Sequence, residues 1–161
     1  MTRSPVAIAL SSRSPAAPFT TPPQRDGWFD AAGLADAAAD FVLCDDIASW
    51  PAAAVAIRLS RILRLLRPGG TLRVVTEDLA AAIHGYWLDR PESGADGFNA
   101  WMRRCAGRFI YDEAALSAAL AQAGFVGIQR FVGPASAHEI FWSHKADDMR
   151  ALALEANRPL P

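Results

Sequence analysis

With 161 residues and a formal net charge of −1, the chain has the size of one domain and no global field that would favour nucleic acid or an anionic membrane. Apolar residues make up 52%, enough for a core even though alanine supplies much of that share. The two cysteines, Cys44 and Cys105, lack metal-ligand spacing and read as reduced thiols of a cytoplasmic protein, and no apolar run reaches membrane-spanning length or makes a signal-peptide core.

Residues 1–25 hold five of the eleven prolines, together with serine, threonine and arginine. Ordering such a segment gains few apolar contacts, so it is expected to be a flexible arm in which only Val6 to Leu10 could form a short strand. The remainder, 26–161, is expected to be a single domain. Gly27 and Gly33 mark a turn or loop, and Trp28 and Phe29 are its candidate anchors on the core. A strand is predicted for Phe41 to Cys44, an apolar run that ends at the acidic pair Asp45 and Asp46.

Ser49 can cap the next helix, with Pro51 in its first turn. Val55, Ile57, Leu59, Ile62, Leu63 and Leu66 give that helix its apolar spacing, and Arg58, Arg61, Arg64 and Arg67 fall mostly on the wetter side. Pro68-Gly69-Gly70 is expected to stop it, and Thr71 to Thr76 follows as a β-branched strand that exits at Glu77 and Asp78. Leu79 to Leu88 reads as a helix, Asp89 to Gly97 as a loop, and Phe98 to Phe109 as a short helix or ordered lid. Asp112 is the predicted N-cap of a helix over 112–123, with Tyr111 placed to pack on Leu116 and Gly124 as the C-cap. Phe125 to Val132 alternates as a strand, 133–148 is a long connection, and Ala151 to Ala156 is the last strand.

Several of these stretches resemble one family when taken together. They are Ala39-Asp40-Phe41-Val42-Leu43-Cys44, Leu65-Leu66-Arg67-Pro68-Gly69-Gly70-Thr71-Leu72, Tyr111-Asp112 with Leu116 and Leu120, Ala123-Gly124-Phe125, and Leu154-Glu155-Ala156. The chain resembles the C-terminal half of a class I S-adenosylmethionine-dependent methyltransferase of the type 11 group. The resemblance implies an α/β, Rossmann-like sheet, mostly parallel with an antiparallel last strand, flanked by helices on both faces and with its N-terminal part reduced. It also implies S-adenosylmethionine as cofactor and methyl transfer to a small molecule or a glycan intermediate. The family's first strand ends in a glycine-rich loop that lets the backbone approach the cofactor. No Gly-x-Gly occurs before residue 40, and no acid is assignable to the end of a second strand.

By the same resemblance, Asp30, Asp45 and Asp46 are candidate cofactor contacts, and Glu77 and Asp78 lie on the substrate side. Each has a plainer account beside it: a surface turn for Asp30, loop solvation or capping for Asp45 and Asp46, and a helix cap at Leu79 for Asp78. No general base is assigned, since a nucleophilic acceptor needs none. His138-Glu139 with His144 lacks the four-residue spacing of helical metal ligands and reads as a surface loop. Cys44 reads as a small buried hydrophobe. Two functions follow. One is a methyltransferase; the other is a non-catalytic methyltransferase-like subunit whose exposed sheet edge is covered by a second copy or a partner chain.

Overall fold

The computed structural model describes residues 4–10, 18–22, 24–25, 28–29, 34–45, 47–88, 94–132, 135–142 and 151–161. In chain order the elements are β1 (Ala7–Leu10), β2 (Gln24–Arg25), β3 (Trp28–Phe29), β4 (Ala39–Cys44), α1 (Ala52–Leu65), β5 (Leu66–Glu77), α2 (Leu79–Leu88), α3 (Ala95–Cys105), α4 (Glu113–Gln122), β6 (Val126–Phe131) and β7 (Ala151–Asn157). Single 3-10 turns lie at Ile47–Ser49 and Glu139–Phe141.

Five strands form one sheet in the order β1-β4-β5-β7-β6, and β2 pairs with β3 in a separate two-stranded ribbon. The pairs β1–β4 and β4–β5 are parallel, and β7 runs antiparallel to both β5 and β6. This is the mostly parallel sheet with one reversed strand that the sequence led us to expect. Strand alternation divides the buried side chains cleanly between the two faces. Ile8, Leu10, Val42, Cys44, Leu72, Val74, Leu152, Leu154 and Ala156 share one cluster with Leu59, Ile62 and Leu65 of α1 and Leu116 and Leu120 of α4.

The opposite face departs from the expected helix-on-both-sides arrangement. Among the described residues, Ala7, Ala9 and Leu43 pack there against Phe19 and Phe141, so a loop residue and a 3-10 turn take the place of a helix layer. The rings of Phe19 and Phe141 stack with centroids 5.8 Å apart. The same face carries a buried ion pair. Register puts Arg73 of β5 directly opposite Glu155 of β7. Arg73 Nη1 donates to Glu155 Oε1 at 2.6 Å and to the carbonyl of Ala135 at 2.8 Å, and the Ala137 amide donates to Glu155 Oε2 at 3.3 Å. Both side chains are almost wholly withdrawn from solvent. The pair thereby ties the 135–142 segment down over the sheet.

Three local expectations need correction. Ser49 belongs to the 3-10 turn, and the N-cap position of α1 is Pro51. The helix ends at Leu65, before Pro68-Gly69-Gly70, because Leu66 is already extended and pairs with Ala39. Its last carbonyls are met from a distance instead: Arg158 Nη1 donates to Leu63, Arg64 and Leu66 at 3.3, 2.9 and 2.6 Å. Pro68-Gly69-Gly70 lies within β5, where the register with β4 shifts. Gly69 has φ +75°, and a Cβ on Gly70 would meet the carbonyls of Arg67 and Asp40 at 2.9 and 3.0 Å, so both positions require glycine. Finally, Ile57, assigned to the buried stripe of α1, is 73% exposed.

Other elements agree with the sequence. Leu79–Leu88 is helical over the expected span. Asp112 caps α4, its Oδ1 accepting from the Ala115 amide at 2.7 Å, and Tyr111 and Leu116 lie in the same core cluster. Gly124 follows the C-cap residue Ala123 with φ +98°. The loop expected over 89–97 gives way to α3 at Ala95. The side chains of Trp28 and Phe29 lie outside the described residues, as does His144.

Replacing Arg73 with methionine strands a buried carboxylate, and urea unfolding is expected to show a loss of about 3 kcal/mol or more. The double variant Arg73→Met/Glu155→Leu is expected to recover most of that loss. Asp112→Ala is expected to cost about 1 kcal/mol in the same assay, the usual value of an N-cap.

Candidate functional site

Open α/β sheets bind ligands outside the carboxyl ends of their parallel strands, so the candidate site is the edge where β1, β4 and β5 exit. There β1 ends at Leu10, β4 ends at Cys44 followed by Asp45, and β5 ends at Glu77 followed by Asp78. Asp45 is half-buried at the mouth of β4, as its place in the sequence led us to expect. Asp30 and Asp46 lie outside the described residues.

Glu77 is well exposed, 3.5 Å from Arg108. Asp78 is buried, and both its oxygens are engaged. Oδ1 accepts from the Ala80 amide at 2.9 Å, the geometry of a cap for α2, and Oδ2 accepts from Arg130 Nη2 at 2.9 Å. Arg130 also donates to Glu113 Oε2 at 2.9 Å, so one guanidinium joins the starts of α2 and α4 to β6. The hydrogen bond to Glu113 raises the Arg130 pKa, with a further contribution from the Asp78 charge, and the group stays cationic at any ordinary pH. Sequence reading missed Arg130, because nothing in the alternating run 125–132 shows which acid lies across from it.

Part of the edge between β4 and β5 is filled from within the chain. The segment before α4 crosses it: the Phe109 amide donates to Ala48 O at 2.8 Å, and the Leu79 amide donates to Tyr111 O at 2.9 Å. Tyr111 pairs with Asp78 as an isolated parallel bridge, and its buried ring lies 4.6 Å from that of Phe109. Burial pushes the Tyr111 phenol above its ordinary pKa, and the Cys44 thiol adds to the rise. Cys44 is fully buried, in keeping with its reading as a small hydrophobe. On α2 and α3 the rings of Tyr86, Phe98 and Trp101 cluster with centroids 5.5 to 6.1 Å apart. Aromatic packing is thus what organises this stretch.

The outer edge of β1 decides how a cofactor could be held. In a doubly wound sheet that edge receives the second strand, and the crevice beside it takes the ligand. Here Thr20 lies alongside β1. Its amide donates to Ala7 O at 3.0 Å, and the Ala9 amide donates to Thr20 O at 2.9 Å, a parallel bridge to Ile8. The chain between β1 and β4 is 11–38, and roughly 30 residues make one βαβ unit. Two additional strands with their helices do not fit in it. Residues 11–17, which follow β1 in the sequence, contain no glycine. The connection is thus shorter than the first half of a complete Rossmann-like cofactor site.

No family model matches the sequence, and no curated protein sequence matches it. Solved structures do match in fold. A possible exported protein from Bordetella parapertussis superposes with a TM-score of 0.55 at 17% identity, over 88% of this chain and 44% of its own. The S-adenosylmethionine-dependent methyltransferase SibL gives 0.54 at 16%, over 89% and 36%. Human N-acetylserotonin methyltransferase in complex with its methyl donor gives 0.53 at 14%, over 96% and 41%. The fold is therefore that of the S-adenosylmethionine-dependent methyltransferases, and the chain spans less than half the length of these three proteins. At such identities the likeness concerns fold alone.

Two earlier readings remain to be placed. His138 is half-buried: its ring centroid lies 5.0 Å from that of Phe41, and Nε2 is 3.1 Å from Thr71 Oγ1. Ala137 and Glu139 on either side of it are exposed, so this stretch of the surface is held by the packing of the His138 ring. Among the described residues no group of three or more metal-capable side chains gathers, and no helix is long and apolar enough to cross a membrane.

The raised Tyr111 pKa has a pH consequence of definite sign. Its contribution to stability is fully present below the unfolded tyrosine pKa, near 10, and is lost as pH rises through the higher folded value. Thermal unfolding between pH 9 and 11.5 is expected to show a steeper alkaline loss for the wild type than for Tyr111→Phe. Equal slopes would mean that Tyr111 is not the group involved.

Proposed function

We propose that this chain is a methyltransferase-fold protein that does not hold S-adenosylmethionine by itself and acts as a non-catalytic subunit. The observation that carries the reading is the short connection 11–38, with Thr20 standing where a second strand would lie. A sheet cut back in this way keeps the scaffold of the fold while omitting the part that would wrap the cofactor. Support for a subunit role comes from α2, α3 and the segment that follows them, where Ile83, Phe98, Met102 and Phe109 are each more than two-fifths exposed. Exposed apolar side chains on neighbouring elements are a common mark of a surface that another chain covers.

The other reading is methyl transfer to a small molecule or a glycan intermediate. It draws on Asp45, half-buried at the mouth of β4, where a ligand of the fold would be met. Glu77 and Asp78 would then flank the acceptor, with Asp78 first giving up Arg130 or Ala80 as a partner.

Isothermal titration with S-adenosylmethionine and with its demethylated product separates the two. No heat is expected up to millimolar ligand. Micromolar binding that is lost in Asp45→Ala would overturn the non-catalytic reading and establish the enzymatic one.

A further inference from the structure

A strand at the end of a sheet leaves one row of backbone N–H and C=O groups unpaired, and another strand is what satisfies them. This sheet has two such ends, β1 and β6. Thr20 closes the outer side of β1 with two backbone hydrogen bonds. Among the described residues no strand or bridge adjoins the outer side of β6. We propose that β6 pairs antiparallel with the β6 of a second copy of this chain, joining two five-stranded sheets into one. The proposal rests on the subunit reading above and names its partner.

Ladder geometry decides which groups are open. The Arg158 amide donates to Gly70 O at 2.9 Å, and bonded and unbonded pairs alternate along an antiparallel ladder. Ala156, Leu154 and Leu152 therefore turn their N–H and C=O toward β5, whereas Glu155 and Ala153 turn theirs toward β6. Gln129 and Phe131 are the β6 partners of those two residues, so Arg130 between them points its backbone N–H and C=O away from the sheet. Val132 points its N–H the same way. Its carbonyl accepts from the Ala135 amide at 3.2 Å and keeps a second lone pair. Neither proline nor lysine, the usual guards of an open edge, occurs in 126–132. The register shift between Val126 and Gln129, where Gly127 has φ +61°, bends only the first half of the strand. Val126 and Val132, at the two ends of the stretch, are 49% and 62% exposed.

A second copy suits this edge because β1 is already closed, so head-to-tail stacking has no acceptor and only β6 on β6 uses up every open edge. A twofold axis perpendicular to the sheet makes the two strands antiparallel, as β7 and β6 already are, and keeps α4 and its copy on one face. Setting Arg130 opposite Val132 of the second copy pairs the open groups. It also brings Phe131 against its own copy in the close, unbonded position, where aromatic side chains stabilise a pair. The helix layer permits the approach. Glu113 reaches Arg130 of β6 and so marks the flank of α4 that lies over the edge. That flank continues, four and eight residues on, with Ser117 and Ala121, and Ala114 stands beside them. Such small side chains let two antiparallel helices come close. The charged groups here are Asp112, Glu113, Arg130 and the buried Asp78. Arg130 bonds Glu113 and Asp78 of its own chain, and the antiparallel arrangement carries each Asp112 and Glu113 toward the other helix's uncharged end at Gln122.

Analytical ultracentrifugation of the full chain from micromolar to near-millimolar concentration, with amide hydrogen exchange followed by NMR, tests the pairing. A monomer–dimer equilibrium that stops at the dimer is expected, and exchange at Arg130 and Val132 is expected to slow as concentration rises. Val132→Pro removes an outward N–H beyond the last residue of the β6–β7 ladder. Val132→Lys keeps that N–H and places a like charge beside Arg130 of the second copy. Each is expected to weaken dimerisation about tenfold, with Tm at low concentration unchanged. If Val132→Pro unfolds, Val132→Lys decides alone. A chain that stays monomeric, growth beyond the dimer, or a dimer that Val132→Lys leaves intact would overturn the proposal. Titration with S-adenosylmethionine keeps the two readings apart. A monomer that gives no ligand heat sinks the β6 pairing and leaves the subunit reading standing, whereas ligand heat in a β6-paired dimer upholds the pairing and sinks only the non-catalytic reading.

Discussion

Residues 11–38 are all the chain that lies between β1 and β4, and most of the architecture follows from that constraint. Two parallel neighbours need a crossover of a dozen residues or more, so the connection is long enough to return the chain to the start of β4. It is too short to add two further strands with helices. β1 is thus left as the outermost strand, and its open hydrogen-bonding side is met by Thr20. A free strand edge is a liability for pairing with other chains, and even one bridge with two hydrogen bonds blunts it.

The same economy governs the face of the sheet that α1 and α4 leave uncovered. Among the described residues no helix lies there, and Ala7, Ala9 and Leu43 pack against Phe19 and Phe141. These few rings hold their place because the 135–142 segment is anchored by Arg73 and Glu155 through the Ala135 carbonyl and the Ala137 amide. A buried ion pair adds little net stability when compared with packed hydrocarbon. Its directional bonds do something hydrocarbon cannot, which is to locate an irregular segment over one point of the sheet. A cleft at the amino-terminal edge is a by-product of that location, since His138 belongs to the anchored segment.

The two edges of the sheet have opposite characters. At the carboxyl edge, Asp78, Arg130, Glu113 and Tyr111 engage one another, and the polar groups serve to hold α2, α4 and β6 together. At the amino edge, Arg67 and His138 line a cleft together with Asp40. A fold shared with methyltransferases does not decide which edge this chain uses.

Local physics was legible in the residues themselves. Apolar runs marked β4, β5 and β7, with β-branched residues in β5, Asp112 marked the start of α4, and Gly124 marked its end, because propensity and capping act within a few residues. The helix ending at Leu65 was misread: its stop depends on Arg158 reaching its carbonyls and on Leu66 pairing with Ala39, both from far along the chain. The roles of Arg73 with Glu155, Arg130 with Asp78, and His138 with Thr71 were likewise out of reach. Each pair is separated by 52 or more residues, and only the tertiary fold brings its members together, by strand register in the case of Arg73 and Glu155. Residue pattern alone was enough for β4, β7, α2 and α4 and for their order, whereas Pro68-Gly69-Gly70, expected to stop α1, lies within β5. Tertiary structure alone decided which charges are buried, which edge is closed by Thr20, and where a cavity remains, since these depend on sheet pairing and not on the spacing of neighbours.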